Sequence, residues 1–237
     1  MTTQHRVVSP PDWLAARREL LAKEKEFNRL RDELSAARRS LPWERVEKDY
    51  VFDGPDGWER LAQVFAGRSQ LVVYHFMFSP DWETPCKSCS WWADNFERNV
   101  VHLAHRDVTL VAISRAPLAK LEAFKGRMGW TFKWLSCAGN DFAYDYGASF
   151  RAEELAAGTV EYNYRPQKLS NTDHTGISVF YRDEDAIYHT YSCYSRGVDM
   201  MNAGYHYLDL VPKGRDEAGL PNRQAWVRYR DAYDTPA

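Results

Sequence analysis

Between residues 10 and 39 the apolar positions are sparse and regularly spaced. Trp13, Leu20, Phe27 and Leu34 recur every seven residues, Leu30 shares their face, and charged residues fill most of the remainder. This spacing predicts one charged helix over 10–39. Ser9 can cap it, Pro10 and Pro11 suit its first turn, and Asp12 favours the positive end of the helix dipole. An apolar stripe on so polar a helix has to be covered. Either it packs on the chain's own domain or it joins two copies in a homodimer.

After Pro42 the pattern changes. Tyr50-Val51-Phe52 reads as a short strand closed by the turn Asp53-Gly54-Pro55-Asp56-Gly57. Trp58, Leu61, Ala62 and Phe65 then have helical spacing, with Gly67 as the stop. Residues 71–78 form a near-continuous apolar run, as in a strand buried on both faces. A loop from Ser79 to Pro85 leads to Cys86, and 87–104 reads as a helix through Trp92, Phe96, Val100 and Leu103. Residues 108–113 are a second buried strand. Leu118, Leu121, Phe124 and Met128 make a helix ending near Gly129, and 131–135 a short strand. Residues 148–170 fit no element and read as an insertion. Residues 177–181 and 186–193 form a hairpin, and a last helix covers about 198–210. Along the second hairpin strand, alternation puts Ile187, His189, Tyr191 and Cys193 on one face, and Tyr188, Thr190, Ser192 and Tyr194 on the other.

Strands alternating with helices predict an α/β domain with a parallel core, and the closing hairpin predicts an antiparallel edge. The domain organisation is therefore an N-terminal helical arm, 1–44, followed by an α/β domain, 45–237.

Composition narrows the function classes. In 237 residues, 44% hydrophobic and 14% aromatic, there is ample material for one core. A net charge of −2 gives no bulk pull toward nucleic acid or anionic lipid. The first residues lack a signal-type apolar stretch and no run is long enough to span a bilayer, so the expectation is a soluble, cytoplasmic protein with neither nucleic-acid nor membrane partner. No glycine-rich dinucleotide fingerprint or P-loop is present, so no organic cofactor is expected.

Four cysteines in a reducing cytosol do not read as a disulfide framework. Two of them form Cys86-Lys87-Ser88-Cys89, and their position matters more than their spacing. Cys86 follows a buried strand and opens a helix, where unpaired N–H groups and the helix dipole stabilise a thiolate. Pro85 fixes the backbone before it, and Lys87 adds positive charge. Cys89, one turn along, can attack a mixed disulfide formed at Cys86 and should be the more buried thiol. A metal half-site is the other chemical reading. Zinc would ask for a second ligand pair at similar spacing, and only His189, four before Cys193, approaches one.

The order of elements and the strand–loop–CxxC–helix junction resemble the thioredoxin-like superfamily. More closely, the chain resembles its branch of predicted dithiol–disulfide oxidoreductases. The likeness covers roughly residues 45–210. It rests on Phe76-Met77-Phe78 leading to Pro85-Cys86-Lys87-Ser88-Cys89, on Phe142-Ala143-Tyr144-Asp145-Tyr146-Gly147, and on His174-Thr175-Gly176-Ile177-Ser178-Val179-Phe180. The resemblance implies a thioredoxin-like fold, a central mixed sheet flanked by helices, with the N-terminal helix as an extension. It implies Cys86 as nucleophile, Cys89 as resolving thiol and a substrate groove walled by the loop before Ile177. It also implies a protein or small-molecule disulfide as substrate and a cellular thiol as reductant. Pro80 and Thr84 fit the peroxiredoxin motif Pro-x-x-x-Thr-x-x-Cys, but Cys86 comes one residue early. A thiol peroxidase is thus an alternative.

Supporting residues follow from this arrangement. His174 and Thr175 would face the cysteine pair, Trp82 would offer an apolar wall, and Asp81 or Glu83 could move protons during exchange. The rival from another class is a binding protein in which Cys86 and Cys89, with His174 or Cys193, hold a soft metal. Cys137 reads as a small core or loop residue.

Overall fold

The computed structural model describes residues 5–234. Two compact units divide the chain, one running to Pro42 and the other from Trp43 onward. The first is helix α1 (Pro10–Arg39). Ser9 caps it: its hydroxyl accepts from the Asp12 N–H at 3.4 Å and donates to the Asp12 carboxylate at 2.7 Å. No residue of α1 is buried, and Trp13, Leu20, Phe27 and Leu34 are each at least half exposed.

The second unit runs β1 (Glu44–Arg45), β2 (Val51–Gly54), β3 (Gly57–Arg60), α2 (Leu61–Val64) and β4 (Gln70–His75). Then come α3 (Lys87–Phe96), α4 (Val100–Ala104), β5 (Val108–Ser114), α5 (Leu118–Met128) and β6 (Lys133–Ser136). After these lie α6 (Phe142–Asp145), α7 (Ala152–Ala156) and the small hairpin β7 (Val160–Glu161) and β8 (Pro166–Gln167). The unit closes with β9 (Gly176–Asp183), β10 (Ala186–Tyr194), a 3₁₀ turn over Ser195–Met201 and α8 (Ala203–Leu208).

Eight strands make one sheet in the order β1-β10-β9-β4-β5-β6-β2-β3. At its centre β4 pairs parallel with β5 and antiparallel with β9, and β5 pairs parallel with β6. A βαβ unit carrying the CxxC helix, extended by an antiparallel hairpin, is the thioredoxin-like arrangement, so the fold is thioredoxin-like. Alternate β4 residues go to opposite faces, as the pleat requires. Leu71 and Val73 join Phe142 and Phe180 in one core layer, while Tyr74 and Phe76 join Trp92, Phe124 and Trp134 in the other. Trp134 is fully buried, stacks on Phe76 at 4.5 Å, and donates its indole N–H to the Ser114 hydroxyl at 2.9 Å. No helix among the described residues is long and apolar enough to cross a membrane.

Several expected elements differ. Trp58 does not open a helix: residues 57–60 pair with β2, leave Trp58 81% exposed, and reduce the helix to Leu61–Val64. The long helix after Cys86 is interrupted at Glu97–Asn99, giving α3 and α4. The last helix is a 3₁₀ turn followed by α8, with the Asn202 side chain capping the latter.

The hairpin alternation is also corrected. The register of β10 against β9 shifts between His189 and Tyr191, a bulge at Thr190. One extra residue inverts the faces beyond it. Ile187 therefore packs with the Phe142 layer, whereas Tyr191 and Cys193 pack with the Trp92 layer, on the cysteine side of the sheet.

Candidate active site

β4 delivers the chain to the top of the sheet, and the loop that follows is tied at several points. Phe76 N–H donates to Ile113 C=O at 3.0 Å, and Cys86 N–H to Met77 C=O at 3.1 Å. The Lys120 ammonium donates to the Pro80 and Trp82 carbonyls at 2.7 and 2.9 Å. The Tyr229 hydroxyl donates to the Pro85 carbonyl at 2.5 Å, so the C-terminal segment braces the residue before the cysteine pair.

Cys86 is the N-cap of α3, with extended backbone angles, and its sulfur accepts the Cys89 N–H at 3.4 Å. A half-buried thiol is thereby aimed at the unpaired donors of a helix start. A hydrogen bond from the Cys89 thiol, opposed by burial and aided by the Cys89 and Ser88 N–H groups, pulls the Cys86 thiol down to about 7. Cys89 is buried, and burial followed by the neighbouring Cys86 pushes its thiol well up. The Cys86 sulfur is thus poised to ionise and the Cys89 sulfur to stay protonated, a difference set by the bond between the two thiols and by their unequal burial.

Tyr74, which the sequence reading did not single out, completes the pair. It is fully buried on β4, its hydroxyl hydrogen-bonds Cys89, and it accepts from the Thr175 hydroxyl at 3.1 Å. Burial and then Cys89 hold that phenol protonated, so its O–H stays available as a donor toward the Cys89 sulfur. The one available signal was its place at an inward position of the strand leading to the cysteines.

A cavity of about 470 Å³ opens over the pair, lined among others by Tyr74, Met77, Cys86, Cys89, His174 and Thr175. His174 and Thr175 thus line the same cavity as the two cysteines. The His174 ring also bonds the Asn171 carbonyl at 3.0 Å and packs on Tyr162 at 4.8 Å, and burial lowers its pKa. Trp82 is half-buried against the Trp92 layer, while Asp81, Glu83 and Lys87 are exposed. A larger cleft of about 990 Å³ includes His189 and Tyr146 but no cysteine.

The alternative ligand set is not gathered. Among the described residues no group of three or more His, Cys, Asp or Glu side chains is placed to hold a metal ion. Cys86, Cys89, His174 and Cys193 therefore form no such centre, and the bulge in β10 parts His189 from Cys193. Cys137 is a buried core thiol pushed up to about 12 by burial.

The loop carrying His174 and Thr175 rests on a second polar cluster. The Arg115 guanidinium grips the Asp173 carboxylate through Nε at 2.8 Å and Nη2 at 2.7 Å. The Ser149 hydroxyl donates to the same carboxylate at 2.8 Å, and the His174 N–H donates to the Ala148 carbonyl at 2.8 Å. Gly176 follows because a Cβ there would meet the Tyr194 ring at 2.5 Å.

The profile of a family described as "Bacterial protein of unknown function (DUF899)" matches residues 2–233. A search of curated proteins finds no significant match. Among solved structures, a peroxidoxin BcpB from Mycobacterium tuberculosis is similar at 16% identity and a TM-score of 0.46, with 69% of this chain and 94% of that one covered. A peroxiredoxin Q from Xanthomonas campestris is similar at 10% identity and a TM-score of 0.49, covering 69% and 95%. A hypothetical protein, SMc02350 from Sinorhizobium meliloti 1021, is similar at 18% identity and a TM-score of 0.40, covering 63% and 70%.

Proposed function

The chain belongs to the DUF899 family, and we propose that it is a cytosolic thiol–disulfide oxidoreductase with Cys86 as nucleophile and Cys89 as resolving thiol. The observation that carries this reading is the Cys86 sulfur at the N-cap of α3, accepting the Cys89 N–H at 3.4 Å and held near pKa 7. A thiol that ionises near ambient pH combines thiolate population with retained nucleophilicity, which is the optimum for exchange.

In the proposed cycle the Cys86 thiolate attacks one sulfur of a protein or small-molecule disulfide. A mixed disulfide forms and the other sulfur leaves as thiolate. Cys89 then loses its proton and attacks the Cys86 sulfur, expelling the second substrate thiolate and leaving a Cys86–Cys89 disulfide. Two electrons have passed to the substrate, and a cellular thiol reductant returns them to the pair. His174 and Thr175 would contact the substrate, with Trp82 and Glu83 at the rim of the loop. The Tyr74 hydroxyl supports the second step, because the thiolate that forms on Cys89 is buried and needs a donor.

Two experiments test this. The alkylation rate of Cys86 should rise through an inflection near pH 7 and plateau above it, since the thiolate is the reacting form. Cys89→Ala should move that inflection upward by removing its largest cause. An inflection at about 8.5 or higher in the wild type, the value of a free thiol, would remove the proposal's basis. If a hydroperoxide is reduced much faster than any disulfide, the substrate class is a peroxide instead.

Tyr74→Phe should slow release of the second substrate thiol by about fivefold, the worth of one hydrogen bond, while leaving the first attack unchanged. Stopped-flow separation of the two steps reads this. Equal slowing of both steps would mean that Tyr74 only shapes the site.

A further inference from the structure

We propose that α1 forms a parallel two-stranded coiled coil with a second copy of this chain. The helix is 30 residues long, about 45 Å at 1.5 Å per residue. Numbered in heptads, Trp13, Leu20, Phe27 and Leu34 are its a positions, and Ala16, Lys23, Leu30 and Ala37 its d positions. An apolar repeat of seven sustained over four heptads is the mark of a supercoiled partner, whereas packing on a globular domain asks for a broader stripe. Leu14 and Leu21 widen the stripe in the first two heptads only. The four a-position side chains are exposed, two of them aromatic, and none of the helix is buried in the single chain.

The flanking charges choose both the partner and its direction. The g positions are Asp12, Glu19, Glu26 and Glu33, all acidic, and the e positions are Arg17, Glu24, Arg31 and Arg38, mostly basic. In a parallel pair each g residue meets the e residue five places on in the other helix. Asp12 then faces Arg17 of the second copy, Glu26 faces Arg31 and Glu33 faces Arg38. Only Glu19 against Glu24 is of like sign, and there Glu24 already accepts from Arg17 of its own helix at 2.8 Å, with Lys23 at the adjacent d position. An antiparallel pair would set acidic g rows against each other and basic e residues against each other. Within one helix Arg29 already bridges Glu26 and Glu33, so the acidic row is held in place for a partner.

The test measures the mass of the full-length protein in solution at low ionic strength. Wild type should have the mass of two protomers. Reversing g charges, Glu26→Lys with Glu33→Lys, should weaken the dimer at least about tenfold, because every affected pair becomes repulsive. Adding Arg31→Glu and Arg38→Glu to that variant should restore self-association. This rescue separates lost pairing from a merely melted helix, because Arg29 still lacks both of its partners. The four-fold variant should also fail to co-assemble with wild type, as a parallel register requires. A one-protomer wild type would overturn the proposal. So would a Phe27→Glu variant that keeps the two-protomer mass, since association would then run through another surface. Free mixing of wild type with the four-fold variant would overturn the parallel direction.

Discussion

Cys86→Ser is expected to reduce disulfide exchange to the uncatalysed background, a loss on the order of a thousandfold or more, as for removal of any covalent nucleophile. Cys89→Ser is expected to stop the cycle one step later, with the substrate held covalently on Cys86. The difference follows from position. Cys86 caps α3 and its sulfur collects the donors of the first turn, whereas Cys89 lies inside that turn and is buried. A hydroxyl at 86 stays protonated throughout the physiological range and cannot open the reaction. A hydroxyl at 89 can still donate to the Cys86 thiolate, so the first attack survives, but it cannot attack the mixed disulfide. Non-reducing gels of partners captured by the two variants decide the matter. Capture by Cys86→Ser and not by Cys89→Ser would reverse the assignment of roles.

The parts of this site that were legible in the sequence are those set by local chemistry. Ser9 with Asp12, the apolar run before Ser79, and Cys86 opening a helix all declare themselves within a few residues. Gly129, in the left-handed region at φ 62°, likewise ends α5 where expected. The parts that were not legible depend on distant pairing. Trp58 has helical spacing, yet a tight turn between Gly54 and Gly57 lets residues 57–60 pair with β2, and ladder hydrogen bonds overrode the periodicity. The bulge at Thr190 leaves no trace in composition, but it carries Cys193 to the cysteine face and leaves His189 on the other. Tyr74 was one apolar residue in an apolar run until its hydroxyl was seen between Thr175 and Cys89. Tyr229, 144 residues from Pro85 in sequence, could not be connected to it without the fold.

Asp173→Ala is expected to destabilise the protein by about 3–5 kcal/mol, because it strands a buried cation. The Arg115 side chain is 14% exposed and that of Asp173 5%, and two N–H···O bonds join them side by side. Without the carboxylate, the guanidinium keeps only neutral acceptors, Tyr144 at 2.7 Å, Thr172 at 3.2 Å and Ser79 at 3.4 Å. In a chain of this size the loss corresponds to a fall in Tm of roughly 6–20 °C. The pair itself need not be a net source of stability, since an apolar replacement of both partners is often neutral. Arg115→Met with Asp173→Leu should therefore recover most of the lost Tm. Its exchange rate should stay low, because Asp173 also receives the Ser149 hydroxyl and fixes the segment that brings His174 and Thr175 over the cysteines. Thermal melts and single-turnover exchange on the same samples separate the two effects. A loss below about 1 kcal/mol for Asp173→Ala, the worth of an exposed ion pair, would mean that water reaches Arg115 and that the loop is held by its backbone bonds alone.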